Sequence, residues 1–265
     1  MKTKREDQTT GRQGSVSSSL PVISLLTDFA TADYYVGAVK GAILSVNPSA
    51  VIVDITHEIP PQDVAAGAFT LLAAYKTFPA GAIYVAVVDP GVGSTRRPII
   101  VSANEQYFVG PDNGLFTYVY DREPSRRIFH VTADRYFRRE VSTTFHGRDI
   151  FAPVAAALSN GVSIEEFGAE IDDEVRLPSL ETPLRIIHID HFGNCVTNIT
   201  RGQAPREIAV KGKTISEFRE FYGEAAGESL FAIWGSAGFL EISVNGGSAA
   251  KVLGAQRGDE VSFTG

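Results

Sequence analysis

The chain has 265 residues, of which 44% are hydrophobic, and a formal net charge of −7, enough apolar material to core one large domain or two modest ones. That acidic balance excludes a protein built around a basic face for nucleic acid or an anionic membrane. The single cysteine, Cys195, excludes an intramolecular disulfide and a cysteine-based zinc site and makes a reducing cytoplasm the expected compartment.

Residues 1–20, MKTKREDQTTGRQGSVSSSL, are polar and carry no apolar h-region, so they read as a disordered leader rather than a signal peptide. No apolar run approaches the roughly 20 residues that span a bilayer. From residue 21 to 180 the pattern alternates: VISLLTD is a strand, Tyr34 to Val46 a helix, VIVDI a strand, Asp63 to Phe78 a helix and AIYVAVVD a strand. Alternation of this kind, with strands apolar on both faces, predicts a Rossmann-like α/β domain with a mainly parallel sheet. Short strands follow near Pro98 to Val101, Gln106 to Val109 and Arg127 to Val131, and an alanine-rich helix from Asp149 to Ser159. Pro178 to Pro183 reads as a linker. Residues 184–265 then carry six short candidate strands, RIIHID, CVTNI, REIAV, SLFAIW, FLEISV and EVSFT, whose spacing predicts a small β-barrel-like domain.

In parallel sheets ligands collect beyond the carboxyl ends of the strands, and Asp28 and Asp89 close two of these strands. Asp28 is well placed for a ribose diol. Asp33 lies near the next helix start, either as a ligand or as a residue satisfying helix amides. In VVDPGVGSTRRP, residues 87–98, two glycines separate Asp89 from Arg96; no phosphate-loop pattern fits, and the two charges read as a structural ion pair or a catalytic one. His146 precedes the alanine-rich helix, as a packing residue or as a partner of that pair. GPDNGL, with Asn113, reads as a turn. Asp190, Phe192 and Asn194, in DHFGN, form either a hairpin turn or a set able to read a purine or hold an α-amino group. The five histidines offer no convincing metal spacing, so no metal is expected.

Six segments taken in order, TDFATADYYVG, VDPGVGSTRR, GPDNG, FHGRDIFAP, IDHFGN and GSAGFLEISVN, resemble the S-adenosylmethionine hydroxide adenosyltransferases, also called S-adenosylmethionine hydrolases, which are relatives of the fluorinase and chlorinase enzymes. The resemblance covers nearly everything after the leader. It implies a homotrimer with active sites between chains, no cofactor, and cleavage of S-adenosylmethionine by water at ribose C5′ to adenosine and L-methionine. Its water-handling set maps to Asp89, Arg96 and His146, with either Asp89 or His146 taking the proton. It also implies substrate contacts from Asp28, Asp33, Asn113, Phe145, Gly147, Phe192, Ser236, Ala237 and Asn245, and, from a neighbouring chain, Asp190 and Asn194, which bind the methionine amino-acid end or adjoining adenosyl groups. Relatives with an arginine beside the serine grip the methionine carboxylate; Ala237 cannot. A halogenase and a non-catalytic S-adenosylmethionine or adenosine sensor are the alternatives.

Overall fold

A computed structural model describes residues 21–227 and 229–265; the expected leader lies outside them. In chain order the first part contains β1 (Val22–Thr27), α1 (Tyr35–Val46), β2 (Val51–Thr56), α2 (Val64–Ala74), β3 (Ile83–Val87), β4 (Pro98–Ala103), β5 (Gln106–Pro111), α3 (Thr117–Arg122), β6 (Arg127–His130), α4 (Ala152–Ser159) and β7 (Glu170–Ile171). The strands form one sheet in the order β2-β1-β3-β5-β4-β6-β7. Only β2, β1, β3 and β5 run mutually parallel, and β4, β6 and β7 continue the sheet by antiparallel pairing. The parallel expectation therefore holds for one half. The other half turns back because Asn104 and Glu105, both at positive φ (50° and 57°), make a two-residue hairpin turn.

The apolar strands β1 and β3 are buried on both faces, as their composition requires, whereas the edge strand β2 is half-buried to exposed. Ile23 and Leu25 of β1, with Ile83, Val85 and Val87 of β3, pack into a core with α1 and α4. Leu26, Tyr84 and Ala86 face the opposite core, built on α2 and α3. In α1 the buried side chains Val39, Ala42 and Ile43 follow helical spacing, and α2 is capped by Asp63, whose carboxylate accepts from the Ala66 amide at 3.0 Å.

The second part contains β8 (Ile186–Ile189), β9 (Cys195–Thr200), β10 (Glu207–Val210), β11 (Lys213–Ile215), β12 (Phe218–Arg219), β13 (Leu230–Trp234), β14 (Phe239–Val244), α5 (Ala249–Leu253) and β15 (Val261–Thr264). The barrel expectation is corrected here: the strands form two open sheets, β12-β13-β14-β9-β8 and β11-β10-β15. Ile186, Ile199, Leu240 and Ile242 of the larger sheet share a core with Ile208, Val210 and Val261 of the smaller, so two short stacked sheets bury what closure would otherwise bury. The two parts meet through α2, where Phe69 stacks on His188 at 5.0 Å and packs on Phe239, and Arg257 pairs with the capping Asp63.

Candidate active site

The loop leaving β3 and the loop leading into α4 bring Asp89, Arg96 and His146 together. The Arg96 Nε–H donates to both Asp89 oxygens at 3.0 Å, its Nη2 donates to Asp89 Oδ2, and the same Nη2 donates to His146 Nδ1 at 2.8 Å. The Asp89 and Arg96 side chains are only 5% and 9% exposed, and the guanidinium lies 5.1 Å from the Phe151 ring centroid. A guanidinium only donates, so Nδ1 of His146 is the acceptor and the neutral ring carries its proton on Nε2. Burial, reinforced by the Arg96 charge, holds the His146 pKa below its ordinary value.

Local sequence explains the convergence. Gly93 has φ +77°, and a Cβ there would stand 2.2 Å from the Thr143 carbonyl oxygen; glycine lets the β3 loop lie against the segment that carries His146. That segment is anchored by Asp149, fully buried, which accepts from Arg148 Nε at 2.6 Å and from the Ser142 amide at 2.9 Å. The two adjacent arginines divide their roles: Arg96 enters the cluster, while Arg97 donates to Asp112 at 2.9 Å and to Asp173 at 2.6 Å, bracing the loop from outside.

The cluster opens into a cavity of about 400 Å³ lined by Asp28, Phe29, Tyr35, Asp89, Phe145 and His146. Asp28 Oδ2 accepts from the Gln62 amide at 2.8 Å. The Phe145 ring meets Phe29 and Tyr35 edge-on at 5.8 and 5.2 Å, and Gly147, on the same wall, leaves room for Phe29, 3.3 Å from where its Cβ would be. Asp33 lies elsewhere: it is exposed, outside this lining, and it caps nothing, because α1 starts two residues later with no side-chain cap. Asn113 also stays out of the cavity; its Nδ2 donates to the Val88 carbonyl at 2.9 Å, fixing the backbone immediately before Asp89.

Asp190, Phe192, Asn194 and Ser236 line a second cavity, of about 1000 Å³, in the β-rich part. Asp190 shapes the turn between β8 and β9: Oδ1 accepts from the Phe192 and Asn194 amides at 2.9 and 2.8 Å, and Oδ2 accepts from Asn194 Nδ2 at 2.8 Å. Phe192 is 74% exposed at the tip. Ala237 packs against the α2 core rather than into the cavity, and Asn245 Nδ2 donates to the Ala225 carbonyl at 3.0 Å. Sequence reading missed Tyr222, Trp234 and Glu241, which share this lining. The available signal was the carboxylate in FLEISV, polar at a position whose cross-strand partners are Ile233 and Val196. Among the described residues no group of three or more His, Cys, Asp or Glu side chains could hold a metal ion, and no helix is long and apolar enough to cross a membrane.

Residues 23–168 match the family model for the SAM hydroxide adenosyltransferase N-terminal domain, and residues 184–262 match its C-terminal domain model. The (R)-S-adenosyl-L-methionine hydrolase of Methanocaldococcus jannaschii is 40% identical, over 92% of this chain and 96% of its own. A crystal structure of an uncharacterized conserved protein from Thermotoga maritima superposes with a TM-score of 0.85 at 35% identity, covering 90% of this chain and 98% of that one. A fluorinase from Nocardia brasiliensis is more distant, 29% identical over 68% of this chain.

Proposed function

Because the chain belongs to the SAM hydroxide adenosyltransferase family, we propose that it hydrolyses S-adenosyl-L-methionine to adenosine and L-methionine at the Asp89–Arg96–His146 cluster. The observation that carries this is the single guanidinium joining a carboxylate and a neutral imidazole on the wall of a cavity shared with Asp28. Water forms a bond to ribose C5′ as the C5′–S bond breaks, and the electron pair leaves on sulfur as a neutral thioether. The sulfonium charge therefore ends as one released proton. Such a leaving group needs no general acid, so the site's work is to orient water and accept its proton.

The hydrogen-bond pattern favours Asp89 as that acceptor. His146 Nδ1 is occupied by Arg96 and Nε2 already bears a proton, which leaves the imidazole as a donor that orients the water. Asp28, held on one oxygen by Gln62, suits the ribose hydroxyls, with Phe145 and Gly147 as the adjoining wall. The Asp89 carboxylate opposes a halide at the same place by like-charge repulsion, which disfavours the halogenase alternative.

The rest of the substrate is assigned to the second cavity, supplied by a neighbouring copy in a homotrimer. Exposed aromatic rings beside the two cavities, Tyr34 (67%), Phe192 (74%) and Phe221 (59%), are the kind of surface such an interface covers. S-adenosylmethionine is substrate rather than cofactor in this scheme, no metal is needed, and the cytoplasm is the compartment. The sequence's single cysteine, Cys195, suits a reducing one. Chromatography of S-adenosylmethionine incubated with purified protein, with and without chloride, tests the reading: adenosine and methionine should accumulate in both, and a chlorinated nucleoside or unchanged substrate overturns it.

A further inference from the structure

Glu241 takes no part in the water chemistry, yet it is the carboxyl of β14 that points away from the apolar core and into the larger cavity. Its neighbours in β14, Leu240 and Ile242, are fully buried, so strand alternation fixes its direction. The Tyr222 hydroxyl donates to Oε2 at 3.0 Å. No donor reaches Oε1 among the described residues, and Oε1 lies 1.8 Å from where a Cβ of residue 235 would be; only glycine at 235 lets the carboxyl lie over that turn. Phe192, Phe221, Tyr222 and Trp234 surround it in the same lining, flat faces of the sort on which a base stacks. Burial raises the Glu241 pKa above the usual carboxylate range, while Tyr222 is 43% exposed; a ring seated over the pair would complete its desolvation and make an unmatched polar group there costly.

The geometry points to Glu241 as the residue that selects an adenine ring, its free Oε1 accepting from the 6-amino group of a purine stacked among the aromatic rings. This rests on the adenosyl substrate proposed above. A 6-oxo purine presents an acceptor at that position, and two acceptors face to face cannot bond. Among the described residues that line the cavity, Asp190, Glu220 and Glu241 stand against one cation, Lys251, a balance that suits a base presenting an amino group.

The test is the ratio of kcat/KM for S-adenosylmethionine to that for its 6-oxo analogue, S-inosylmethionine, in wild type and in Glu241→Gln, Glu241→Leu and Tyr222→Phe. Wild type should prefer the 6-amino substrate by about 10- to 100-fold, the scale for a buried bond to a charged or polar partner. Glu241→Gln, whose amide can offer its oxygen to a 6-amino group or its N–H to a 6-oxo group, should lose most of that preference while keeping the side chain's size. Glu241→Leu should bring the ratio to within about threefold of unity, and Tyr222→Phe, which frees the carboxyl without deleting it, should lower it by an intermediate factor. A purely structural role would depress both substrates equally and leave the ratio alone. An unchanged ratio in the soluble variants, or a wild type indifferent to the 6-position, overturns the assignment. Calorimetric binding of adenosine against inosine gives the same ratio without turnover, so absence of hydrolysis would count against the catalytic reading while Glu241 is still judged.

Discussion

Asp89 and Arg96 share one loop and His146 lies 50 residues beyond Arg96, yet one guanidinium nitrogen touches both of the others, and the roles proposed for the three differ in a way substitution can separate. Asp89→Asn removes the proton acceptor but keeps the side chain's size, so kcat should fall by about 100-fold or more with ligand affinity retained. Turnover at the wild-type rate would remove Asp89 from the chemistry. His146 accepts through Nδ1 only while neutral, and burial with the Arg96 charge keeps its pKa below the ordinary value. The unfolded chain therefore binds this proton at higher pH than the folded one, and stability from the neutral ring is lost as pH falls through that interval. The acid limb of kcat/KM should accordingly lie below about 6.5, the unperturbed histidine value; a limb at or above it contradicts the neutral-histidine assignment. The two strand-end carboxylates were legible because a parallel sheet delivers strand ends to a crevice. Asn113 was not: a turn residue's amide serves the backbone as readily as a ligand, and here it bonds the Val88 carbonyl.

Among the elements, the β3 loop and the segment entering α4 make the site by touching each other, and Gly93 is where they touch. Gly93→Ala places a methyl 2.2 Å from the Thr143 oxygen at φ +77°, so the loops must separate and the Arg96–His146 contact must open. We expect kcat to fall at least about tenfold, beyond the roughly 1–3 kcal/mol that backbone strain alone costs in stability. Gly81→Ala is the control, because Gly81 also has positive φ but has open space around it; it should lower Tm without changing kcat. Equal effects on kcat would show that loop contact is not what positions the cluster. Hydrophobic periodicity reveals strands and helices such as β1, β3 and α1, whose apolar residues lie in both cores. It does not reveal pairing direction, so the antiparallel half of the sheet was hidden, and β11, β12 and α5, with three, two and five residues, are too short to carry a period. For the same reason evenly spaced short strands suggested a barrel where two open sheets occur.

For the whole molecule, the proposal requires Asp28 of one copy and Asp190 of its neighbour to serve one substrate, although in a single chain they line different cavities. No pattern within one chain can display such a site; only the family resemblance suggested it. If the halves meet across copies, Asp28→Ala and Asp190→Ala proteins should each be impaired, and co-refolding equal amounts should restore both intact halves to about one pocket in four by random cyclic assembly. No recovery, with subunit exchange demonstrated by mixing the double mutant with wild type, would return the site to a single chain. Underlying every scale is the claim that water attacks ribose C5′, and the isotope in the product reports it most directly. Turnover of S-adenosylmethionine in ¹⁸O-labelled water, followed by mass spectrometry, should place one labelled oxygen in each adenosine, at the 5′-hydroxyl, and none in methionine. Unlabelled adenosine, or label in methionine instead, would contradict the mechanism.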